Sequence, residues 1–393
     1  MLQVCSWPLQ QNAQSTPNET IGKIVANLLH VDLKRLSLVS YRIRAITLPF
    51  LFRSLVFICP EGYYGKKTLL RLKGLAASNS VLPLVHRVTM SGSIHHTFLS
   101  PPPSDQYRPL MALTVTPYTL LLPLPNLYCL SLDNIPVDNA FLLALVNLAR
   151  RRDIELYLTR CQVFIDTTPV SAFKLRIVTF AATREDIYDD VPGTNEDTIY
   201  HIISASSRHL RHLGLGSQLL NLIDRLLPTK FDSLRMLQLE GPPQYTDRIF
   251  PSTLSKFLRW LGPLDNLILS PGLMVDPEIF LKGGSGPPHY NSLEASYHVC
   301  RILVPNNTVA SLRCRNLCKD EIIKDEEREL IPMIEEGLIK NQKPLQALEI
   351  AVCRGEEDRI LASLTTICSG TLKSLCLHIP ICVSQMSVGN AVI

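Results

Sequence analysis

Leu210 to Leu239, LRHLGLGSQLLNLIDRLLPTKFDSLRMLQL, carries one short pattern twice. Leu210-Arg-His-Leu213-Gly-Leu215 opens the stretch and Leu234-Arg-Met-Leu237-Gln-Leu239 closes it. The alternation at the end of each copy is the period of a β-strand, whose successive side chains point to opposite faces. Between the copies, Leu219–Leu227 is a helix-like segment. A strand and a helix in so few residues cannot bury an apolar face alone, so such units have to stack.

The pattern L-x-x-L-x-L recurs along the chain. Earlier copies are Val85-His-Arg-Val88-Thr-Met90, Leu127-Tyr-Cys-Leu130-Ser-Leu132 and Leu175-Arg-Ile-Val178-Thr-Phe180. Later ones are Leu264-Asp-Asn-Leu267-Ile-Leu269, Val309-Ala-Ser-Leu312-Arg-Cys314, Leu345-Gln-Ala-Leu348-Glu-Ile350 and Leu372-Lys-Ser-Leu375-Cys-Leu377. Further helix-like segments lie at Asn139–Arg150, Thr253–Leu261 and Glu357–Cys368. A strand plus a helix per unit is leucine-rich-repeat logic. The intervals between copies run from 24 to 48 residues, so the repeat is irregular. The longer gaps leave room for degenerate copies, with Ile154-Glu-Leu156-Tyr-Leu158 and the stretch near Leu293 as candidates. The expected fold class is α/β: a short helical N-terminal module, then an irregular leucine-rich-repeat-like solenoid with parallel strands. The competing fold is a conventional parallel-sheet domain, but no glycine-rich phosphate loop follows any strand-like run.

In each copy the leucines point inward and the residues flanking the central apolar position point outward. Arg87, Thr89, His212, Met236, Gln238, Arg313 and Glu349 are therefore candidate target-binding residues. Cys129, Gly214 and Cys376 fall on the same row. Its charge is mixed, which fits a protein or peptide better than a nucleic acid, whose phosphates need clustered Lys and Arg.

The first 60 residues read differently. Thr16-Pro17-Asn18-Glu19 has the form of a helix capping box, with proline at the first helical position. Ile21, Ile24, Val25, Leu28 and Leu29 then form one apolar stripe. Asp32 is placed as a second N-cap, ahead of Leu33, Leu36 and Val39. Pro49 is expected to end the helix that starts near Arg42. Leu55-Val56-Phe57-Ile58 has strand character. Three helices in under forty residues bury too little for a self-sufficient core, so a partner is expected to complete them.

These residues resemble a known family. P-N-E-x-I-x-x-I-x-x-x-L from Pro17, D-L-x-R-L-S-L-V-S from Asp32 and R-x-R-x-x-x-L-P-F-L-F from Arg42 are similar to the F-box. The run LFRSLVFI that follows resembles the F-box proteins of mushroom-forming fungi. Thr16 and Ile43 stand where the family usually has Leu and Trp. The resemblance implies docking on the linker protein of an SCF-type cullin–RING ubiquitin ligase. By match to the motif, the linker-binding residues are Pro17, Ile21, Ile24, Leu33, Leu36, Val39 and Ile43. Some of these must instead hold the helices together. The implied organisation is a tail at 1–15, an F-box at 16–53 and the repeats at 54–393. The implied role is a substrate-recognition adaptor, with a cullin scaffold and an unnamed target protein as partners. The alternative is a ligase-independent leucine-rich-repeat scaffold.

Composition narrows the rest. The chain has 393 residues, 46% hydrophobic and 19% charged, so a large core is available. No apolar run reaches the roughly 18 residues of a membrane span. No basic region followed by an apolar core opens the chain, so no signal peptide is expected. Eleven scattered cysteines, several inside strand-like runs, point to reduced thiols in the cytoplasm or nucleus. A net charge of +4 does not mark a nucleic-acid binder.

No catalytic or cofactor arrangement stands out, and a non-enzyme is expected. His95-His96 has no acid or cysteine at ligand spacing. Cys300, Cys314 and Cys318 imitate a metal set, but no second close pair follows. Ser100–Ser104, Asp186–Asp197 and Gly283–Pro288 read as loops, and Asp320–Glu336 as two helical pieces.

Overall fold

All nine copies of the pattern form strands, and so do both degenerate candidates. The computed structural model describes residues 18–59, 70–71, 73–75, 77–92, 124–133, 137, 145, 147–148, 153–159, 161, 175–181, 196–216, 219–240, 250–281, 289–305, 307–314, 333–351, 357–368 and 370–378. They fall into two compact units. The first lies within Met1–Pro136 and Ala140–Leu148, the second within Val137–Asn139 and Ala149–Ile393.

The first unit opens with three helices: α1 (Asn18–Val25), α2 (His30–Leu36) and α3 (Tyr41–Phe52). Val25, Leu33 and Leu51 form their core, with Ile21, Leu28, Phe50 and Phe52 packed around it. Arg42 on α3 donates from Nε to Asn18 Oδ1 at 3.0 Å, joining two of the motif positions. Three parallel strands follow: β1 (Ser54–Cys59), β2 (Arg87–Gly92) and β3 (Cys129–Asp133).

Two local expectations are corrected here. Asp32 is not an N-cap: α2 starts at His30 with Leu29 as an unassisted cap. Asp32 instead sits in the first turn, where its charge suits the helix dipole, and it pairs with Arg35 at 3.8 Å. Pro49 does not end α3, which runs on to Phe52. Proline removes the bond its N–H would donate to the Ala45 carbonyl. Burial of Leu51, one residue before the helix ends, offsets the loss. The true start signal of α3 is Ser40, whose side chain accepts from the Ile43 N–H at 3.2 Å. Thr16 and Pro17 lie outside the described residues.

The second unit alternates strands and helices. Its strands are β4 (Ile154–Thr159), β5 (Leu175–Ala181), β6 (His212–Leu215), β7 (Met236–Leu239), β8 (Leu264–Leu269), β9 (Tyr290–Ala295), β10 (Ser311–Cys314), β11 (Ala347–Ala351) and β12 (Ser374–His378). Each pairs in parallel with its neighbour in the chain. The central apolar residue of every copy lies in one column: Val178, Leu213, Leu237, Leu267, Leu293, Leu312, Leu348 and Leu375. All but the last are buried. Full burial of each such side chain contributes about 1.5–3 kcal/mol. The register slips once, between Ile154 and Glu155, where β5 carries an extra residue.

Helices α4 (Glu196–Ser206), α5 (Leu222–Leu226), α6 (Pro251–Trp260), α7 (Pro277–Leu281), α8 (Tyr297–Leu303) and α9 (Glu357–Ile367) fill the connections. α4 buries Ile199, Ile202 and Ile203, and α6 buries Leu254, Phe257 and Leu258, both at helical spacing. Of the acidic loop expected over Asp186–Asp197, residues 186–195 lie outside the described residues, and Glu196 and Asp197 instead open α4. Met333–Leu338 is a π-helical turn. His95, His96, Ser100–Ser104, Cys318, Gly283–Pro288 and most of Asp320–Glu336 lie outside the described residues.

A recurring polar device ties neighbouring units together. Ser206 Oγ accepts from the Leu175 N–H at 3.3 Å. Asn307 Oδ1 accepts from the N–H groups of Tyr290 at 2.8 Å and Thr308 at 2.7 Å. Asn341 Oδ1 accepts from the Val309 N–H at 3.1 Å, while its Nδ2 donates to the Val309 and Lys343 carbonyls. In each case a polar side chain just ahead of one copy reaches back to the backbone that opens the preceding one. A buried N–H has to find such a partner.

Candidate functional site

The structure separates the motif-matched helical residues into two groups. Leu33 is buried in the three-helix core, and Ile21 packs against that core. Leu36 and Ile43 are half-buried. Ile24 and Val39 are exposed, and Pro17 lies outside the described residues. Four neighbours that the motif match did not single out are also open: Leu29 at 72% exposure, Val31, Leu38 at 83% and Tyr41 at 89%. Ile24, Leu29, Val31, Leu38, Val39 and Tyr41 thus leave large apolar side chains open on the helical module. The signal was in the sequence as the apolar run Leu36-Ser-Leu38-Val39. Periodicity groups Leu36 and Val39 with Leu33 and leaves Leu38 unassigned, whereas Leu38 and Val39 are both exposed in the turn after α2.

The second candidate surface is the outward row of the strands. Arg87 and Arg313 are exposed, and Thr89, His212, Met236, Gln238 and Glu349 are half-buried. Cys129 and Gly214, expected on this face as open positions, are buried. Gly214 is covered by its neighbour. A Cβ there would meet Thr179 Cγ2 at 2.7 Å, so the close approach of Thr179 requires glycine. Arg87 leans on Tyr128, with Nε donating to the phenol oxygen at 3.0 Å and the guanidinium 5.5 Å from the ring centre. Burial lowers the pKa of His212, a tendency that a hydrogen bond with Gln238 opposes.

Charge gathers on the outward side of the last four strands. Arg313 on β10 donates to Glu349 on β11 from Nε at 2.6 Å and from a terminal nitrogen at 2.5 Å. Its other terminal nitrogen lies 3.4 Å from Glu294 on β9. His378 Nε2 lies 3.0 Å from the second oxygen of Glu349. Burial pushes the Glu349 carboxyl up, but the hydrogen bonds and charges of Arg313 and His378 outweigh it and hold it below the usual range. The hydrogen bond to Glu349 in turn raises the Arg313 guanidinium.

The sign of the linkage follows. A carboxylate whose folded pKa is depressed stabilises the fold above its ordinary pKa. It loses that stabilisation as pH falls through the folded value. Glu349→Gln should therefore unfold more easily than the wild type at neutral pH, by about 1 kcal/mol or less for a partly exposed network. The gap should close as pH drops below the ordinary carboxylate range. Thermal melts of both proteins across pH 3 to 7 check this, and a gap independent of pH would exclude the network as its cause.

Cys376 Sγ also lies 3.5 Å from His378 Nε2. Thiol and carboxylate thus meet the same ring nitrogen. A nucleophilic cysteine needs the acid on the opposite nitrogen, so this set does not form a proton relay. Cys300 and Cys314 are buried with sulfurs 3.7 Å apart, both as free thiols, and burial raises the Cys314 thiol well above its ordinary value. Among the described residues no cluster of metal-ligating side chains occurs, and no helix is long and apolar enough to cross a membrane.

Comparisons with known proteins give a likeness among solved structures. No family model matches the chain, and neither does any curated protein. Among solved structures, the chain is similar to the yeast complex of Rad7 and Elc1. The match has 14% identity and a TM-score of 0.45, covering 93% of this chain and 82% of that one. The chain is an α/β protein whose parallel strands repeat one leucine-patterned unit.

Proposed function

We propose that this chain is a substrate-recognition adaptor of an SCF-type cullin–RING ubiquitin ligase. The observation that carries the reading is the apolar surface of Leu29, Leu38, Val39 and Tyr41, exposed on a three-helix module whose sequence resembles the F-box. The helical segment, residues 16–53, docks the linker protein and through it the cullin scaffold. Ile24 and Val39 make direct contact, while Leu33 and Ile21 set the helix packing behind them. The strand repeats, residues 54–393, receive a target protein on their outward row. The chain contributes no chemistry of its own in this reading, since catalysis comes from holding the target beside the charged enzyme. Reduced thiols at Cys300 and Cys314 suit the cytoplasm or nucleus.

Affinity purification of the full chain, with the proteasome blocked, tests the proposal. Recovery of the linker protein and cullin in near-equal amounts is the expected result. Recovery of neither, from a folded chain, overturns the adaptor role and leaves the ligase-independent scaffold as the better reading.

A further inference from the structure

Ser37 is the one serine or threonine in the sequence with a lysine or arginine both three and two positions before it. Lys34 and Arg35 supply these charges, and both are exposed. Arg35 is 79% exposed and its pair with Asp32 spans 3.8 Å, a loose surface contact that costs little to exchange. Ser37 is the residue that caps the end of α2, and its Oγ donates to the Lys34 carbonyl at 2.7 Å. The turn that follows rests on short local bonds, from the Leu38 N–H to the Arg35 carbonyl and from the Val39 N–H to the Leu36 carbonyl. Leu38, Val39 and Ser40 are exposed, so opening this turn breaks little apolar packing. Ser40, the next hydroxyl, is committed to capping α3 through the Ile43 N–H. Kinases that choose substrates by charge pattern read a basic pair of this kind ahead of an accessible serine.

Resting on the proposal that Leu38 and Val39 face the linker, we infer that Ser37 is a phosphorylation site for a kinase of basic-residue preference, and that its phosphorylation closes the helical module to the linker protein. Ser37 Oγ attacks the γ-phosphorus of ATP. The new O–P bond forms as the bond to the β,γ-bridging oxygen breaks. ADP leaves, and the hydroxyl proton passes to the kinase's catalytic carboxylate. The product carries about −1.5 to −2 charges at pH 7. It loses the hydroxyl donor that met the Lys34 carbonyl and sets a phosphate at the negative end of α2. It also places that phosphate beside Leu38 and Val39, a surface that has to shed water to dock. Lys34 and Arg35 can turn toward the phosphate, but pairs between exposed groups are weak against that desolvation cost.

The full chain is incubated with magnesium–ATP and the catalytic subunit of cyclic-AMP-dependent protein kinase, and the modified residue is mapped by mass spectrometry. Phosphate is expected on Ser37, with its rate of incorporation lowered about tenfold in Arg35→Ala. The phosphorylated chain should bind purified linker protein about tenfold more weakly than the unmodified chain, or weaker still, with its helical circular dichroism kept. Ser37→Ala should bind the linker as the unmodified chain does and stay indifferent to the kinase. No phosphate on Ser37, undiminished phosphorylation of Arg35→Ala, equal linker affinity with and without phosphate, or a loss of binding that follows a loss of helix would each overturn this inference and leave the adaptor reading standing. A folded, unmodified chain that does not bind the linker overturns the adaptor reading, and the switch built on it.

Discussion

Leu38→Asp combined with Val39→Asp is expected to abolish recovery of the linker protein with the chain, while leaving its melting temperature unchanged. Both side chains are mostly exposed, at 83% and 69%, so replacing them costs the fold about 0.5 kcal/mol or less. At a docked apolar surface the same change buries two unpaired carboxylates. Each costs at least about 2–3 kcal/mol, which lowers affinity by more than a hundredfold in total. Leu33→Asp gives the contrasting result. Leu33 belongs to the core of the three helices, so its replacement should melt them and remove the linker indirectly. Circular dichroism separates the two cases. A Leu38/Val39 variant that stays folded and still brings down the linker would disprove docking through this surface.

Asn307→Ala is expected to lower the stability of the second unit by about 2–6 kcal/mol, through two orphaned backbone donors at about 1–3 kcal/mol each. Asn307 is fully buried and accepts from both the Tyr290 and Thr308 N–H groups. Alanine leaves no acceptor in their place. Urea denaturation, with the midpoint shifted and the slope kept, is the measurement. A change under about 0.5 kcal/mol would mean that water or backbone movement satisfies these donors and that the polar link between units is dispensable.

The strands were legible because the inward leucines repeat one pattern nine times, although Leu33-Lys-Arg-Leu36-Ser-Leu38 shows the same pattern and begins in a helix. Even the degenerate copies at Ile154 and Leu293 show it, although their spacing is broken. The polar links were not legible. Ser206, Asn307 and Asn341 look like ordinary loop residues until the preceding unit is stacked on them. The helical module was half legible. Its apolar residues were evident, but which of them turn inward depends on where the chain bends after Leu36, and short helices leave that to tertiary packing. Pro49 misled for the same reason, since local propensity yields when burial of Leu51 holds the last turn. The charge cluster required both a register and a count of strands. Glu294 lay in a copy too degenerate to align by pattern, so its place beside Arg313 emerged only with β9 in position.

Register in the second unit is indifferent to the length of the connections. Leu267 and Leu293 align across one connection, and Leu312 and Leu348 across a much longer one. Each strand answers only to its neighbours, so insertions at the loops leave the leucine column untouched. Such a chain can gain, lose or lengthen a unit by recombination without refolding the rest. Its outward residues are then free to change at a rate that the buried column does not set.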